Sequence, residues 1–378
     1  MKKKIKVLHV IGSLMVGGSE KMFLTTLGGL QKKTEMEHIG CIISNRLDLL
    51  STNVQRLITL NLPRSDCYPL RALLDVYQFP FLLLTTLREN PDILYVYHNT
   101  DDKFIVTLIG KILKKKVVLR KNNQKRYLPI ISHFIAPINY FLCDKIVTIF
   151  KEGNDELKAS NVPSEKIIYI PNGKNISNYK SNLNKKQAKI KLGLNGNEFV
   201  LGIISRLDPI KNHEAVIRVL PELLKLRKNL KFVIVGGPPS NFYKKKLQKL
   251  VKELGLEENI LFLGYGKDIP DTLAAFDIFV HPSLTDALPG AVLEAMCAGL
   301  SIVASDVGGT KELLGDCGIL ISPTDQKGLT EAIVKLMNDP KLRKEYGKKA
   351  QQRAESEFSE EKMIDSYEKL FIQLTNEK

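Results

Sequence analysis

The sequence predicts an α/β protein made of two doubly wound parallel-sheet domains, and three observations predict it. Apolar runs of strand length alternate with helical stretches, as in a parallel sheet covered by helices on both faces. The alternation begins afresh after a polar, Asn-rich interval, Ile170–Lys186, which reads as linker and hinge. A chain of 378 residues is too long for one small core and fits two domains of ordinary size.

Composition narrows the class. With 44% apolar and 26% charged residues and no low-complexity tract, the chain reads as globular. Cys41, Cys67, Cys143, Cys297 and Cys317 are scattered, odd in number and free of Cys-x-x-Cys spacing. That argues for a reducing compartment such as the cytoplasm, and against a zinc site or a disulfide frame. No apolar run approaches the ~20 residues that span a bilayer. The Met-Lys-Lys-Lys start has the outline of a signal peptide, but Lys6 and His9 interrupt the apolar part, which works better as a first strand. The net charge of +15 is uneven: residues 1–180 carry 27 Lys and Arg against 15 Asp and Glu, the remainder 29 against 26. A basic first half suits an anionic partner (an acidic membrane face, a pyrophosphate-linked acceptor or nucleic acid) or is a solvated lysine-rich surface.

In the first half, strands are expected at Lys6–Gly12, His38–Ser44, Asp92–Asn99, Lys116–Asn122, Lys145–Phe150 and Lys166–Gly173. Helices are expected at Ser19–Leu30, Asp102–Leu113 and Gly153–Ala159. Ligands of such sheets lie beyond the carboxyl ends of the strands. The first loop there, Gly12–Glu20, is not a Gly-x-Gly-x-x-Gly fingerprint, which disfavours a nicotinamide or flavin. Gly17 and Gly18 would let a phosphate approach the backbone, and Ser19 would cap the helix. His98 closes the strand ILYVYHN, where an imidazole that titrates near neutrality can donate or accept a hydrogen bond at a reacting centre. Asp101 and Asp102 follow, either to orient an acceptor or, for Asp102, to cap a helix. Tyr68–Leu87 and Leu128–Leu142 are rich in Leu, Ile, Phe and Tyr, with Lys111–Lys116, Arg120, Lys121, Lys125 and Arg126 between them. They are either buried helices or a face that meets an anionic leaflet.

In the second half, strand Phe199–Ile204 leads into Ser205–Glu214, where Arg206 and Lys211 lie on a strand-to-helix loop. Arg grips phosphate through a bidentate fork and Lys supplies a point charge. Strand Phe232–Gly236 and the segment Ile260–Asp268 follow. The most informative stretch is His281–Leu314, HPSLTDALPGAVLEAMCAGLSIVASDVGGTKELL. It leaves a strand at Asp277–Pro282, enters a helix near Gly290 and reaches a further strand at Ser301–Ser305. A helix start presents free N–H groups and partial positive charge to a phosphate, and the small Gly290 and Ala291 permit close approach. Asp286 and Glu294 flank this junction, and Glu294, a turn inside the helix, can reach a ribose beside the phosphates. Two amphipathic helices, Lys341–Ala354 and Glu360–Leu374, end the chain.

The block resembles the signature of glycosyltransferase family 4, retaining transferases of the GT-B fold, which carries two acids separated by seven residues. Asp286 and Glu294 have that spacing, within matching HPS, LPG, LEAMCAG and SDVGG segments. One departure is that Asp286 stands where the family usually has Glu, a reach shorter by ~1.5 Å, one C–C bond. The resemblance implies two Rossmann-like domains facing across a cleft. An acceptor-side domain is expected over 1–174, a nucleotide-sugar domain over 175–358, and a last helix, 359–378, crossing back to the first. It implies a diphosphate clamp by Arg206 and Lys211. Donor contacts would come from Gly17, Gly18, Leu288, Gly290, Ala291, Val292 and Glu294, with the base held mainly by backbone around Gly264 and Tyr265. His98 and Asp286 would lie by the donor sugar. IPNG also fits the family, with Asn175 in place of an acid often seen there.

The implied function is metal-independent, retaining transfer from a nucleotide-sugar, a UDP-sugar being expected, to a hydroxyl of a saccharide or lipid-linked acceptor. Bacterial surface polysaccharide synthesis is the expected setting. No cofactor is expected, and no Asp-x-Asp metal motif occurs. A nucleotide-sugar epimerase of the same fold or a catalytically retired scaffold are the competing readings. A nucleic-acid partner is not expected, since no recognisable binding module appears.

Overall fold

The computed structural model describes residues 4–14, 17–33, 35–44, 54–63, 68–97, 101–121, 130–237, 241–265 and 268–377, with side chains except at 68–76, 101, 102 and 130–135. The chain divides into two compact units, Met1–Asn172 with Glu361–Lys378, and Gly173–Glu360.

The first unit is built on β1 (Ile5–Ile11), β2 (Met36–Ser44), β3 (Leu57–Leu62), β4 (Ile93–Val96), β5 (Lys116–Lys121), β6 (Lys145–Thr148) and β7 (Ile167–Tyr169). They pair in parallel in the order β3-β2-β1-β4-β5-β6-β7. Strands buried on both faces read as near-continuous apolar runs, which is why most of them were legible in the sequence. The edge strand β3 was not. Its residues are mostly half-exposed, so it lacks the apolar run of its neighbours. His9 interrupts β1 yet is fully buried, its Nε2 2.9 Å from His38 Nδ1 of the adjacent strand. Burial, and then the neighbouring His38, push His9 well below its usual range, and burial lowers His38 to about 4.

The last helix, Glu360–Asn376, belongs to this first unit from Glu361 onward. Tyr367, Leu370, Phe371 and Leu374 recur at helical spacing and are buried with Val7, Phe23 and Tyr95 in one core. The Tyr367 hydroxyl lies 2.8 Å from that of Tyr95, so two buried phenols satisfy each other. Gly29 on the helix Gly18–Gln31 leaves space for Ile364, since a Cβ there would come within 2.0 Å of its Cδ1.

The second unit repeats the scheme with β8 (Phe199–Ile204), β9 (Leu230–Val235), β10 (Ile260–Phe262), β11 (Ile278–His281), β12 (Ile302–Ser305) and β13 (Ile319–Ile321). The order β10-β9-β8-β11-β12-β13 is again all parallel. Both sheets therefore reverse direction beside their own first strand, at β1/β4 and at β8/β11. Ligands of open α/β sheets bind at such switch points, at the carboxyl ends.

Within the second unit, the start of the polar interval is tied to residues 358–360. Gly173 lies against residue 359, where a Cβ would come within 2.3 Å of the Ser359 carbonyl oxygen, a backbone approach that only glycine permits. Lys174 bridges in parallel with Ser359, donating to the Phe358 carbonyl at 2.9 Å and accepting from Glu360 N–H at 3.2 Å. Asn175 caps the short 3₁₀ turn Ile176–Tyr179, accepting from Ser177 N–H at 3.0 Å. A local cap needs no charge, which accounts for Asn at this position.

Phe371→Ala removes a fully buried ring and should cost ~3–5 kcal/mol, read as a lower denaturation midpoint by circular dichroism. A loss under about 1 kcal/mol would mean that the helix contributes little to this core.

Candidate active site

The carboxyl ends of β8 and β11 carry the residues expected to bind an anion, and the structure joins the two loops. After β8, Asp208 caps the 3₁₀ turn Pro209–Lys211 by accepting from Ile210 N–H at 3.1 Å. The Ile210 carbonyl then accepts from Leu284 N–H at 2.8 Å and from the Ser283 hydroxyl at 3.1 Å, both on the loop after β11. Across this seam Lys211 Nζ meets Asp286 Oδ2 at 2.5 Å. The same oxygen lies 3.1 Å from Nε2 of His281, the last residue of β11. A carboxylate only accepts, so Nε2 carries the proton.

Burial is the largest single influence on both groups and acts in opposite senses, but it prevails only at His281. It lowers His281, outweighing the opposing pull of Asp286, so the imidazole stays neutral. For Asp286, burial would raise the carboxyl, but the His281 hydrogen bond and the Lys211 ammonium hold it well below the usual carboxylate range. The site thus contains an ionised acid, a cation and a neutral imidazole converging on one oxygen.

Arg206 lies on the same loop, 45% exposed, with Nη2 3.5 Å from Asp208 Oδ2. Behind it, Ser205 Oγ is 2.9 Å from Nε2 of the buried His213. Gly236 takes φ +129, and a Cβ there would come within 2.0 Å of the Ser205 carbonyl oxygen, so glycine lets the ends of β8 and β9 close up. Gly236 N–H donates to the Gly264 carbonyl at 2.9 Å, and the Tyr265 hydroxyl donates to the Gly237 carbonyl at 3.0 Å. These bonds draw the expected base-binding segment toward the β8 loop.

The helix Gly290–Cys297 begins four residues after Asp286. Its N-cap is Pro289, among the described residues no side chain caps its first N–H groups, and a Cβ on Gly290 would meet nothing within 4 Å. Leu288 and Val292 are buried beside the junction, and Gly290 and Ala291 are partly exposed. Glu294 is buried, and its Oε1 accepts from Lys174 Nζ at 3.1 Å and from the Tyr179 hydroxyl at 3.4 Å.

In the first unit, Gly17 is the extended N-cap of Gly18–Gln31, with no side-chain cap, and a Cβ on Gly18 would meet nothing within 4 Å. His98 lies outside the described residues, as do the side chains of Asp101 and Asp102. The structure therefore brings together Lys211 with Asp286, and Gly264 and Tyr265 with the backbone behind Arg206. It adds His281, Lys174 and Tyr179, whose roles were not foreseen. His281 had a signal in the sequence, a histidine at a strand's end five residues before the acid. Lys174 had none beyond its place in IPNGK.

Among the described residues no group of three His, Cys, Asp or Glu side chains could hold a metal ion. Cys41, Cys143, Cys297 and Cys317 are free and buried.

The fold is that of GT-B glycosyltransferases. The structure of Anabaena HepE in complex with UDP matches with a TM-score of 0.85 at 20% identity, covering 98% of this chain and 100% of that one. WaaG, a glycosyltransferase involved in lipopolysaccharide biosynthesis, matches with a TM-score of 0.75 at 18% identity, covering 95% and 98%. Residues 184–353 match the family described as glycosyl transferases group 1. An Escherichia coli relative, UDP-Gal:alpha-D-GlcNAc-diphosphoundecaprenol alpha-1,3-galactosyltransferase, is 25% identical, with 98% of this chain and 97% of that protein aligned. A Campylobacter jejuni relative, N-acetylgalactosamine-N,N'-diacetylbacillosaminyl-diphospho-undecaprenol 4-alpha-N-acetylgalactosaminyltransferase, is 26% identical over 66% of this chain and 65% of its own length. The chain is a glycosyltransferase enzyme.

Burial lowers His213 from 6.5 to about 4, with His281 and Lys211 adding to the shift. A depressed histidine contributes stability that is full above the unfolded value and is lost as pH falls toward the folded one. The second unit should therefore lose ~3 kcal/mol from this group as pH falls from 6.5 to about 4. Urea denaturation across that window should show a shallower loss for His213→Gln than for wild type. Identical slopes would remove His213 as the cause.

Proposed function

We propose that this enzyme is a retaining, metal-independent transferase of family 4 type. It moves a sugar from a UDP-sugar to a hydroxyl of a saccharide or lipid-linked acceptor in bacterial surface polysaccharide assembly. The observation that carries the reading is the convergence, at the β8/β11 switch point, of the Arg206–Lys211 loop, Asp286 and the uncapped helix at Gly290. Support for the donor comes from the UDP complex of HepE and the UDP-Gal relative; support for the acceptor comes from the two diphosphoundecaprenol relatives.

In this mechanism the donor diphosphate lies on the Gly290 N–H groups, with Arg206 and Lys211 as counter-charges. The bond between the anomeric carbon and the leaving phosphate oxygen breaks as the acceptor hydroxyl bonds to the same face. That phosphate takes the hydroxyl proton. Each charged hydrogen bond is worth roughly 1.5–3 kcal/mol, and the helix terminus adds ~0.3–1 kcal/mol. They accelerate transfer to the extent that they strengthen as charge develops on the leaving group. The diphosphate competes with Asp286 for Lys211 and frees the carboxylate to face the sugar. His98 is assigned to the sugar or the acceptor. Arg206→Ala should lower single-turnover transfer by ~100-fold or more, and a loss below about threefold would overturn the assignment.

The first unit is assigned to the acceptor and to peripheral attachment on an anionic leaflet. Its helices Tyr68–Glu89, Asp101–Ile112 and Ile130–Leu142 pack side by side. They expose Tyr77, Phe81, Leu84 (63%), Ile112, Ile138 and Phe141 (81%), near the exposed Lys111 and Lys114. Apolar groups fringed by lysine suit the interface of an acidic bilayer. Among the described residues no helix is long and apolar enough to cross a membrane. The protein should float with acidic liposomes at low salt, and less so as Leu84→Glu/Phe141→Glu. Failure of wild type to float would exclude attachment.

A further inference from the structure

Glu294 is held by one oxygen only. Its Oε1 accepts from both Lys174 Nζ and the Tyr179 hydroxyl, whereas Oε2 has no hydrogen-bond partner among the described residues. The holder is itself rigid. Lys174 is 8% exposed and its backbone is clamped to residues 358–360 on both sides. Its ammonium also lies 5.8 Å from the centre of the Tyr179 ring. Burial would strip the charge from Lys174, but the opposed carboxylate and phenol raise it, so the lysine stays ionised. Burial also pushes the Tyr179 hydroxyl up to about 12, keeping it a donor.

An acid aligned this way, a turn inside an uncapped helix, is preset to accept a hydrogen bond on its second oxygen. A lone carboxylate on a helix would instead turn about its terminal torsion. We propose that Lys174 and Tyr179 are positioning residues that lock Oε1 of Glu294, leaving Oε2 to accept a ribose hydroxyl of the donor nucleotide. They would thereby set the enzyme's preference for ribonucleotides. This inference rests on the donor reading given above.

The test is calorimetric titration of the full chain with UDP, 2′-deoxy-UDP and 3′-deoxy-UDP. Wild type should lose ~10- to 100-fold in affinity for at least one deoxy analogue, the range of a hydrogen bond to a charged group. Lys174→Met should bind UDP about as weakly as wild type binds that analogue, and should no longer distinguish the two nucleotides. Tyr179→Phe should lose part of the discrimination, and Lys174→Arg, which keeps the cation, should restore most of it. Circular dichroism identifies variants that fail to fold, and Tyr179→Phe, which removes one oxygen, keeps the test open if Lys174→Met is among them. A folded Lys174→Met with wild-type discrimination overturns the inference alone, as does unaltered discrimination in Tyr179→Phe. Wild type that binds UDP without distinguishing either analogue also overturns it. Wild type that binds no UDP overturns the donor reading, and the inference with it.

Discussion

The contact between Lys211 and Asp286 holds the second unit's site in shape. At β8/β11 the chain order reverses, so the loops leaving the two strands belong to helices that diverge, and a crevice opens between them. The Ser283 hydroxyl and the Leu284 N–H, both donating to the Ile210 carbonyl, close the base of that crevice, and the ion pair spans it. A partly buried pair of this kind adds little net stability, because desolvation and side-chain ordering offset the attraction. Its contribution is geometric: it decides where a cation and an acid stand relative to the helix start at Gly290.

The same arrangement occurs twice. Asp286 is met by a lysine from the β8 loop, and Glu294 by a lysine from the segment that opens the unit. Asp286 and Glu294 are thus each paired with a lysine from outside the block, and each shares its engaged oxygen with a second donor, His281 or Tyr179. Arg206 is half-exposed on the same loop, and Pro289, the N-cap of the helix at Gly290, provides no capping side chain. Aspartate at 286 is consistent with this economy of space. The shorter side chain keeps its carboxylate within reach of His281 on its own strand.

Much of the architecture was legible because both sheets are parallel and buried. Phe199–Ile203 can be apolar throughout because both faces are covered, and that leaves a readable run. Short or marginal elements left weaker marks: β3 is half-exposed, and β13 has three residues. Arg206, Lys211 and Asp286 were singled out from residue type and position on loops, and Gly290 and Glu294 from their places at the start and one turn inside a helix. The pairing of Lys211 with Asp286 could not be read that way, since they lie on different crossovers and only the order of strands makes them neighbours. Asn175 shows a related limit. Its side chain answers a local need for a cap, and no single residue type announces that in advance.

By itself the sequence determined the class of fold, the two-unit plan and the positions where charge and free backbone gather, because periodicity and loop chemistry are local properties. The tertiary structure alone decided which charges touch, which oxygen of Glu294 stays open and how Lys174 becomes a buried partner. Those depend on segments far apart in the chain being brought within 2.5 to 3.4 Å, and on burial, which turns weak surface attractions into fixed geometry.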